Sequence, residues 1–252
     1  MKTYAIISDI HGNSLALEAV LKDIEAKKAD VVINLGDHVF GPLEPQKTAN
    51  LILEQEMICI SGNKDRDILE NLDQFTQDQT LEQVKKNLDK RSIEWLKSLP
   101  STQSIDNLIF ACHGTPESDN QYLLEEVTEH GVFVYKDEEL VARTAHIKEQ
   151  IILCGHSHVN RVIWLSNGKT ILNPGSVGLP AYLGNTKVRY AMESMMPHAK
   201  YALIYADKNS IKIEQVNCPY DWNAASATAR KNGREDWAQG LLYGRMPKSL
   251  KN

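Results

Sequence analysis

The chain has 252 residues, which is enough for one large α/β domain or for a domain with an appendage. Its hydrophobic content of 42% and charged content of 24% are those of an ordinary globular protein. The net charge of -5 argues against a general nucleic-acid binder, because counterion release needs a basic surface. We therefore expect no stable nucleic-acid complex, although a nucleotide can still be a small substrate if metal ions supply positive charge.

The four cysteines and the hydropathy pattern together predict a cytoplasmic protein without a membrane partner. The cysteines form no CxxC pair, and three of them lie in or at the end of apolar runs, where cysteine behaves as a small hydrophobe. A predicted strand begins almost at the first residue, so we expect no signal peptide. No apolar stretch approaches the roughly 20 residues that a membrane helix requires.

The first third of the chain alternates predicted strands and helices. Apolar runs at 4–7, 31–35 and 58–60 have the length of buried strands, and the segments between them keep helical spacing. Asn13 or Ser14 is available as the N-cap of the first helix. Strand–helix–strand units with short connections favour a parallel sheet with right-handed crossovers. In such sheets, ligands collect beyond the carboxyl ends of the strands.

The rest of the chain divides into a charged helical region, a β-rich region and a tail. Residues 67–100 are Gln-rich and helical, which indicates an insertion that covers one side of the domain. Asn167-Gly168 is a hairpin signal between two of the later strands. We predict one domain over 1–220 and a helical extension over 221–252 that packs on it. The later predicted strands are 108–112, 151–154, 159–165, 170–172, 201–205 and 211–216.

Five short polar segments follow apolar runs, each at the point where a predicted strand ends. Together they supply two Asp, one Asn and four His, which is enough for two cations. Mixed nitrogen and oxygen ligands without thiolate suit Mn, Fe, Zn or Ni better than Ca or Mg. We therefore expect two divalent transition metal ions, with Mn as the first candidate. The predicted metal ligands are Asp9, His11, Asp37, Asn63, His113, His156 and His158.

Such a ligand set points to phosphoester hydrolysis. Asp37 can bridge two cations, because a carboxylate has two oxygens. Two divalent ions, two carboxylates and a bridging hydroxide leave a net charge of about +1, which attracts a phosphate anion. Metals roughly 3.5–4 Å apart can clamp both the attacking and the leaving oxygens of an in-line displacement. The leading inference from the residues is therefore a phosphoester hydrolase.

The five segments resemble the full signature of the calcineurin-like metallophosphoesterase superfamily, and residues 173–178 (Asn-Pro-Gly-Ser-Val-Gly) are similar to a loop of its small bacterial and archaeal branch. The resemblance implies a four-layer αββα sandwich of two mixed β-sheets flanked by helices, with the dimetal site at the carboxyl ends of strands. It also implies a phosphodiesterase acting on small diesters. One implied ion is held by Asp9, His11, Asp37 and His158, and the other by Asp37, Asn63, His113 and His156.

The segment after Asn63 departs from the family pattern. Many members place a histidine there, whereas this chain has Lys64, followed by Asp65 and Arg66. Lysine is a poor proton shuttle at neutral pH but a good point charge for a phosphate oxygen. We therefore predict a leaving group that needs little protonation. The alternative is that Lys64 pairs with Asp65 or Asp67 and points away.

The remaining site predictions follow from these motifs. Tyr182 and Arg189 lie in a stretch that could form a lid, and the 173–178 loop either shapes a tight turn or aims N–H groups at phosphate. We predict as catalytic residues Asp37, Asn63, Lys64 and His113, and as substrate contacts Asn63, Lys64, Arg66 and His38.

Three functions stay open at this point. The first is a phosphodiesterase, and the second is a nucleotide or dinucleoside polyphosphate hydrolase or a phosphomonoesterase. The third is a non-catalytic scaffold, which the intact ligand set argues against. The expected partner is a small phosphoester or nucleotide. A homo-oligomer stays open too, because Trp222, Trp237 and Tyr243 could pack internally or across a two-fold axis.

Overall fold

The computed structural model of the protein describes residues 1–185, 188–207 and 210–248. Within these residues the chain forms a strand in every place where the sequence predicts one. The strands are β1 (Lys2–Ile7), β2 (Val31–Asn34), β3 (Ile58–Cys59), β4 (Thr102–Ile105), β5 (Ile109–Cys112), β6 (Glu125–Thr128), β7 (Gly131–Val134), β8 (Ile151–Leu153), β9 (Arg161–Trp164), β10 (Thr170–Asn173), β11 (Ala181–Asn185), β12 (Arg189–Glu193), β13 (Ala199–Ala206) and β14 (Ile211–Cys218).

Helices fill the connections between strands and the C-terminal tail. The first helix is capped by Asn13, whose side chain accepts a hydrogen bond from the N–H of Ala16 at 3.1 Å, so Asn13 rather than Ser14 is its N-cap. The helices are α1 (Ser14–Ala26), α2 (Pro45–Leu53), α3 (Asn63–Glu70), α4 (Gln79–Asn87), α5 (Lys90–Ser98), α6 (Asp137–Arg143), α7 (Trp222–Lys231) and α8 (Glu235–Tyr243).

Two five-stranded mixed sheets form the centre of the protein. One has the order β14-β13-β1-β2-β3, and the other has the order β4-β5-β8-β10-β9. In each sheet three neighbouring strands run parallel, β1-β2-β3 and β5-β8-β10, and the remaining strands pair antiparallel at the edges. The Asn167-Gly168 turn joins antiparallel β9 and β10, as its sequence predicts.

The alternation of side chains along the strands produces the layers. Tyr4 and Ile6 of β1 point into a core between the two sheets, whereas Ala5 and Ile7 point outward beneath α1. Similarly, Ile152 of β8 points outward into a cluster that α6 covers. Helix, sheet, sheet and helix therefore stack in four layers, which confirms the predicted αββα sandwich.

The tail helices pack against helices from the first hundred residues of the chain. Trp237, Ala238 and Leu241 of α8 share a hydrophobic cluster with Val39 and with buried residues of α2 to α5. Trp237 therefore packs inside the chain, whereas Tyr243 is exposed. The division at residue 220 into a domain and an extension stays a prediction.

The sequence patterns did not predict β4 or two hairpins. Strands β6 and β7 pair with each other, as do β11 and β12, outside the two main sheets. Both hairpins are short and partly exposed, so their apolar periodicity is weak. The β11–β12 hairpin occupies the stretch predicted as a lid, and residues 186 and 187 of that stretch lie outside the described residues. No described helix is long and apolar enough to cross a membrane.

Candidate metal centre

The seven predicted ligands lie in loops that follow the parallel strands of both sheets. Asp9 and His11 follow β1, Asp37 follows β2, and Asn63 begins α3 just after β3. From the second sheet, His113 follows β5, and the pair His156 and His158 follows β8. Because parallel strands end at the same edge, the sandwich brings both loop sets to one place.

The backbone of these loops is unusual. Nine described residues other than glycine have a positive φ, and five of the nine are predicted ligands. Left-handed backbone is costly for such residues, and it persists where the surrounding structure enforces it, often at functional sites. The five are Asp9, His11, Asp37, His156 and His158, with φ between 52° and 66°.

Hydrogen bonds between the loops hold them in this conformation. The N–H of Asp9 donates to the carbonyl of Gly36 at 3.0 Å, and the N–H of His11 donates to the carbonyl of Asp37 at 2.9 Å. Within the second sheet, the N–H of Gly155 donates to the carbonyl of His113 at 2.7 Å. The two sheets are linked where the N–H of Val177, after β10, donates to the carbonyl of Ser8, after β1, at 2.9 Å. The ligand loops therefore form one connected backbone framework.

The first candidate metal-ligand cluster consists of Asp9, His11 and His158, all of them buried. The Nε2 atoms of His11 and His158 are 3.1 Å apart, and Oδ1 of Asp9 lies 3.2 Å from Nε2 of His158. This Oδ1 is a buried oxygen without a hydrogen-bond partner. Three ligand atoms thus converge on one point.

The second candidate cluster consists of Asp37, His113 and His156, and Asn63 adjoins it. Oδ1 of Asn63 lies 3.1 Å from Nε2 of His113. Oδ2 of Asp37 lies 3.5 Å from Nε2 of His113 and 3.6 Å from Nε2 of His11 in the first cluster. Asp37 therefore faces both clusters with one oxygen, and the structure brings all seven predicted ligands together.

The imidazole tautomers fit metal binding. Nδ1 of His11, His113 and His158 lies 2.9, 2.7 and 2.6 Å from the backbone carbonyls of Phe40, Leu35 and Leu179, respectively. A carbonyl only accepts, so each Nδ1 must donate its proton and leave Nε2 as the ligand atom. In neutral rings the lone pairs of His11 and His158 then face each other, and only a positive charge between them stabilises that contact. The donor set fits divalent transition metals.

Burial and neighbouring charges set the protonation of the cluster. Burial lowers the pKa of His11 to about 4 and that of His156 to about 3, because desolvation disfavours an imidazolium. Burial also opposes ionisation of Asp9, but the imidazole of His158 lowers the pKa of this carboxyl to about 2. His11 and His156 are therefore neutral and Asp9 is charged at pH 7, which are the forms that bind a cation.

Lys64 has a partner within its own helix. Its Nζ lies 2.8 Å from Oδ2 of Asp67 and 5.2 Å from the ring centroid of Phe40. The structure thus shows the ion pair with Asp67 that the sequence left as an alternative. Lys64 nevertheless lines the cavity beside the clusters, so it does not point away from the site.

Two residues predicted as substrate contacts are not among those that line this cavity. The side chain of His38 is fully buried, with Nδ1 2.8 Å from Oδ2 of Asp65 and its ring against Trp95. Arg66 donates to Asp119 through Nε at 2.8 Å and contacts Glu70 as well. Each side chain is paired with a carboxylate and neither lines the cavity. For the fully buried His38, an unpaired charge on Asp65 would be costly.

The 173–178 loop shapes a turn. The N–H groups of Gly175, Val177 and Gly178 donate to Asn173, Ser8 and Asp9, respectively. A Cβ at Gly178 would lie 1.7 Å from the carbonyl oxygen of Ile10, so the close approach of the two loops requires glycine there. These N–H groups are used within the protein, which favours the turn over a phosphate cradle.

A cavity of about 250 Å³ opens over the two clusters. Its floor includes His11, Asp37, Asn63, His156 and His158. Residues of the β11 strand and of the C-terminal tail form much of the remaining lining, and among them are Tyr182, Leu183, Arg234, Asp236, Trp237 and Met246.

Sequence reasoning missed most of these wall residues. Tyr182 donates to the carbonyl of His156 at 3.0 Å and shares a hydrogen bond of 2.6 Å with Tyr122, whose ring stacks on His156. Arg234 and Trp237 of the tail belong to no sequence motif, and the sequence of the tail predicts Trp237 as a packing residue. An apolar helix pattern gives no signal that one of its aromatic rings also borders a site.

Comparisons with known proteins agree with this architecture. The model of the calcineurin-like phosphoesterase superfamily domain matches residues 1–193, so the chain belongs to this family. The uncharacterized protein MJ0912 of Methanocaldococcus jannaschii is 30% identical over 263 residues, which cover 95% of this chain and 96% of that protein. The family makes this chain a metal-dependent phosphoester hydrolase, with two candidate metal-ligand clusters.

Two solved structures resemble the whole fold. A metallophosphoesterase from Sphaerobacter thermophilus has a TM-score of 0.73 and 24% identity, with 97% of this chain and 99% of that chain covered. The hypothetical protein PH1004 from Pyrococcus horikoshii OT3 has a TM-score of 0.72 and 20% identity, with coverages of 98% and 100%. At these identities the two structures establish the fold alone.

Proposed function

We propose that the protein is a binuclear metal-dependent phosphodiesterase that hydrolyses small phosphodiesters. The observation that carries the proposal is the position of Asp37. One oxygen of this carboxylate faces both ligand clusters, at 3.6 Å from His11 and 3.5 Å from His113, on the floor of a cavity. Such an arrangement suits two cations that share one ligand and one substrate.

Each side chain of the site has a task that its geometry supports. His11, His113 and His158 are fixed by their Nδ1 contacts, so their Nε2 atoms are oriented before any cation binds. Lys64 holds positive charge at the cavity wall, where a phosphate oxygen can approach it. When bound, two divalent cations supply the charge that activates water and neutralises the phosphate. We propose Mn first, with Fe, Zn and Ni as alternatives.

The cavity favours a diester over a monoester. A diester carries a second organic group, which needs room beyond the phosphate. The space over the clusters extends to apolar side chains such as Leu179 and Leu183, which suit an organic group better than solvent. A nucleotide or dinucleoside polyphosphate hydrolase and a phosphomonoesterase are the alternatives that the experiment must separate.

The test compares bis(p-nitrophenyl) phosphate with p-nitrophenyl phosphate after metal removal and Mn²⁺ reloading. We expect metal-dependent hydrolysis with a clear preference for the diester, and we expect His156→Ala to abolish it. Preference for the monoester would replace the proposal with a phosphatase. If His156→Ala retains both activities, the hydrolysis does not take place at this site.

We propose the cytoplasm as the location and a small phosphoester as the partner. The four cysteines are all free, as expected in a reducing compartment.

A further inference from the structure

The cavity has a second wall that the family domain does not supply. Arg234, Asp236, Trp237 and Met246 all border the cavity, and all follow residue 193, where the match to the family model ends. They come from the start of α8 and the segment after it. The tail therefore does more than cover the sandwich, because it forms part of the cavity lining beside the predicted metal ligands.

The position of Trp237 is tightly determined. Its ring stands edge-on to the imidazole of His11, with centroids 5.6 Å apart, and the residue is 6% exposed. A Cβ at Gly41 would lie 2.9 Å from the indole, so the loop passes directly against the ring. One turn further along α8, a Cβ at Gly240 would lie 2.6 Å from the carbonyl oxygen of Ala181. The aromatic ring is thus held rigidly beside a metal ligand.

The charges along this wall are paired. Arg234 binds both carboxylate oxygens of Asp236, at 2.9 and 2.7 Å, and donates to Thr80 at 2.8 Å. Lys64 is paired with Asp67. Asp78 adds a negative charge on the same side. At the tail side of the cavity, a second phosphate would meet the neutralised guanidinium of Arg234 and the carboxylates of Asp236 and Asp78, so this wall is unsuited to a polyphosphate chain.

The surfaces that remain available are apolar and aromatic. Phe40 and Trp237 both border the cavity, and each lies beneath a cation whose charge is already paired, with Arg234 5.3 Å from the indole centroid. Both rings are largely buried, with Trp237 6% and Phe40 7% exposed, so the parts that border the cavity offer edge and apolar contacts to a planar uncharged ring. Leu183 and Met246 extend the same apolar surface.

We propose that the C-terminal helices complete the substrate site and that the wall around Trp237 binds an uncharged aromatic group. This group is esterified to the non-leaving oxygen of the scissile phosphate, as in an aryl diester. The inference rests on the proposed phosphodiesterase function, and it names the substrate class: diesters with a planar aromatic substituent, in preference to pyrophosphate-type anions.

The experiment uses two diesters with the same leaving group. Phenyl p-nitrophenyl phosphate and methyl p-nitrophenyl phosphate both release p-nitrophenolate, so they differ in the second substituent. We expect wild-type protein loaded with Mn²⁺ to prefer the phenyl diester in kcat/KM. Trp237→Leu should reduce that preference about tenfold, mainly through KM, because a ring contact is lost. Trp222→Leu is the matched control, because Trp222 packs against His198 and Tyr220 and does not line the cavity.

A second variant tests the same wall without removing a core side chain. Asp236→Asn keeps the shape of the residue and leaves the charge of Arg234 uncompensated. We expect hydrolysis of p-nitrophenyl diphosphate to rise at least about threefold relative to the phenyl diester, since a free guanidinium binds phosphate strongly. This variant gives a result even if Trp237→Leu fails to fold.

The outcomes separate the two proposals. One set of results would overturn the inference and leave the phosphodiesterase function standing. In that set the wild type hydrolyses both diesters with equal kcat/KM, Trp237→Leu does not change the ratio, and Asp236→Asn shows no gain with the diphosphate. Hydrolysis of neither diester by the metal-loaded wild type would overturn the proposed function itself. A loss of preference in Trp222→Leu as large as in Trp237→Leu would show a general effect of the tail and would overturn the role of this wall.

Discussion

Asp37 accepts a hydrogen bond of 2.8 Å from the N–H of Lys64 at the start of α3 through one carboxylate oxygen and turns the other toward both ligand clusters. A helix N-terminus stabilises a negative charge, so the N–H fixes both the position and the ionisation of the carboxylate. A Cβ at Gly62 would lie 2.3 Å from the bonded oxygen, which explains why this motif needs glycine. The orientation of this carboxylate, and with it the proposed bridge, thus depends on the α3 terminus as much as on Asp37.

Asp37→Asn tests this bridge. Asparagine keeps the size of the side chain and an oxygen for the Lys64 N–H, but it loses the charge that both clusters share. We expect wild-type protein to bind two Mn²⁺ per chain and the variant to bind at most one, with kcat reduced by about 100-fold or more. The measurement is elemental analysis after dialysis, together with diester hydrolysis. Asp67→Asn serves as control and should keep both ions; two ions in Asp37→Asn would contradict the bridge.

The carboxylate of Asp65 also positions the loop that contains Asp37. This carboxylate accepts hydrogen bonds from the N–H groups of Asp37, His38 and Gly62 at 2.9–3.0 Å, and from the ring of His38 at 2.8 Å. Burial disfavours a charged His38, but the Asp65 carboxylate raises the pKa of the imidazole to about 10. The pair is therefore a fully buried ion pair. Breaking such a pair by removing one partner costs about 3–5 kcal/mol.

We accordingly expect Asp65→Ala to lower the free energy of unfolding by about 3 kcal/mol or more, measured by urea denaturation of the metal-free protein. The matched control is Asp67→Ala, which breaks the partly exposed pair with Lys64 and should cost less than about 1 kcal/mol. Equal losses in the two variants would contradict the structural role of the Asp65–His38 pair.

Lys64→His tests the leaving-group preference. A histidine at this place ordinarily has a pKa near neutrality, so its imidazolium form can protonate a leaving oxygen at pH 7, which lysine does poorly. We expect turnover of diesters with alkoxide leaving groups to rise about tenfold, and turnover of p-nitrophenyl diesters to stay within about twofold, because p-nitrophenolate leaves without protonation. The measurement is kcat on both substrate types. An unchanged kcat for diesters with alkoxide leaving groups would contradict the predicted leaving-group preference. Lys64→Gln is the control for loss of charge alone.

The raised pKa of the buried Glu125 carboxyl makes the stability of the protein depend on pH. Burial raises the pKa of this carboxyl to about 7, although Arg161 at 3.7 Å and a hydrogen bond from Ser157 at 3.1 Å oppose the shift. Between the ordinary value near 4.5 and about 7, the folded protein holds a proton that the unfolded chain has released. The contribution of Glu125 to stability is therefore greatest at low pH, and it falls as the pH rises through this window.

Glu125→Gln removes this titration while keeping the shape of the side chain. We expect the stability of the wild type relative to the variant to fall by up to about 3 kcal/mol between pH 4.5 and 8, as read from urea denaturation at several pH values. Glu126→Gln, at the exposed neighbouring position, should show a flat difference. A flat difference for Glu125→Gln as well would contradict the raised pKa.

The sequence alone determined the strand ends and the chemistry placed on them. Short apolar runs before Asp9, Asp37 and His113 are local signals, because a buried strand must be apolar whatever surrounds it. The order of strands and helices then fixes which edge of the sheets holds the polar residues. The fold class and the gathering of all seven predicted ligands follow from such local patterns.

The tertiary structure decided how each side chain in the site is used. His38 and Arg66 stand next to the ligand motifs in sequence, yet buried or local carboxylates take their charges. Trp237 lies about 200 residues from Asp37, yet its ring borders the same cavity. No periodicity encodes a contact between segments so far apart, because it depends on the packing of α8 against a hairpin whose own pattern is weak. Ligand identity is thus a local property of this chain, and the shape of its substrate site is a property of the folded whole.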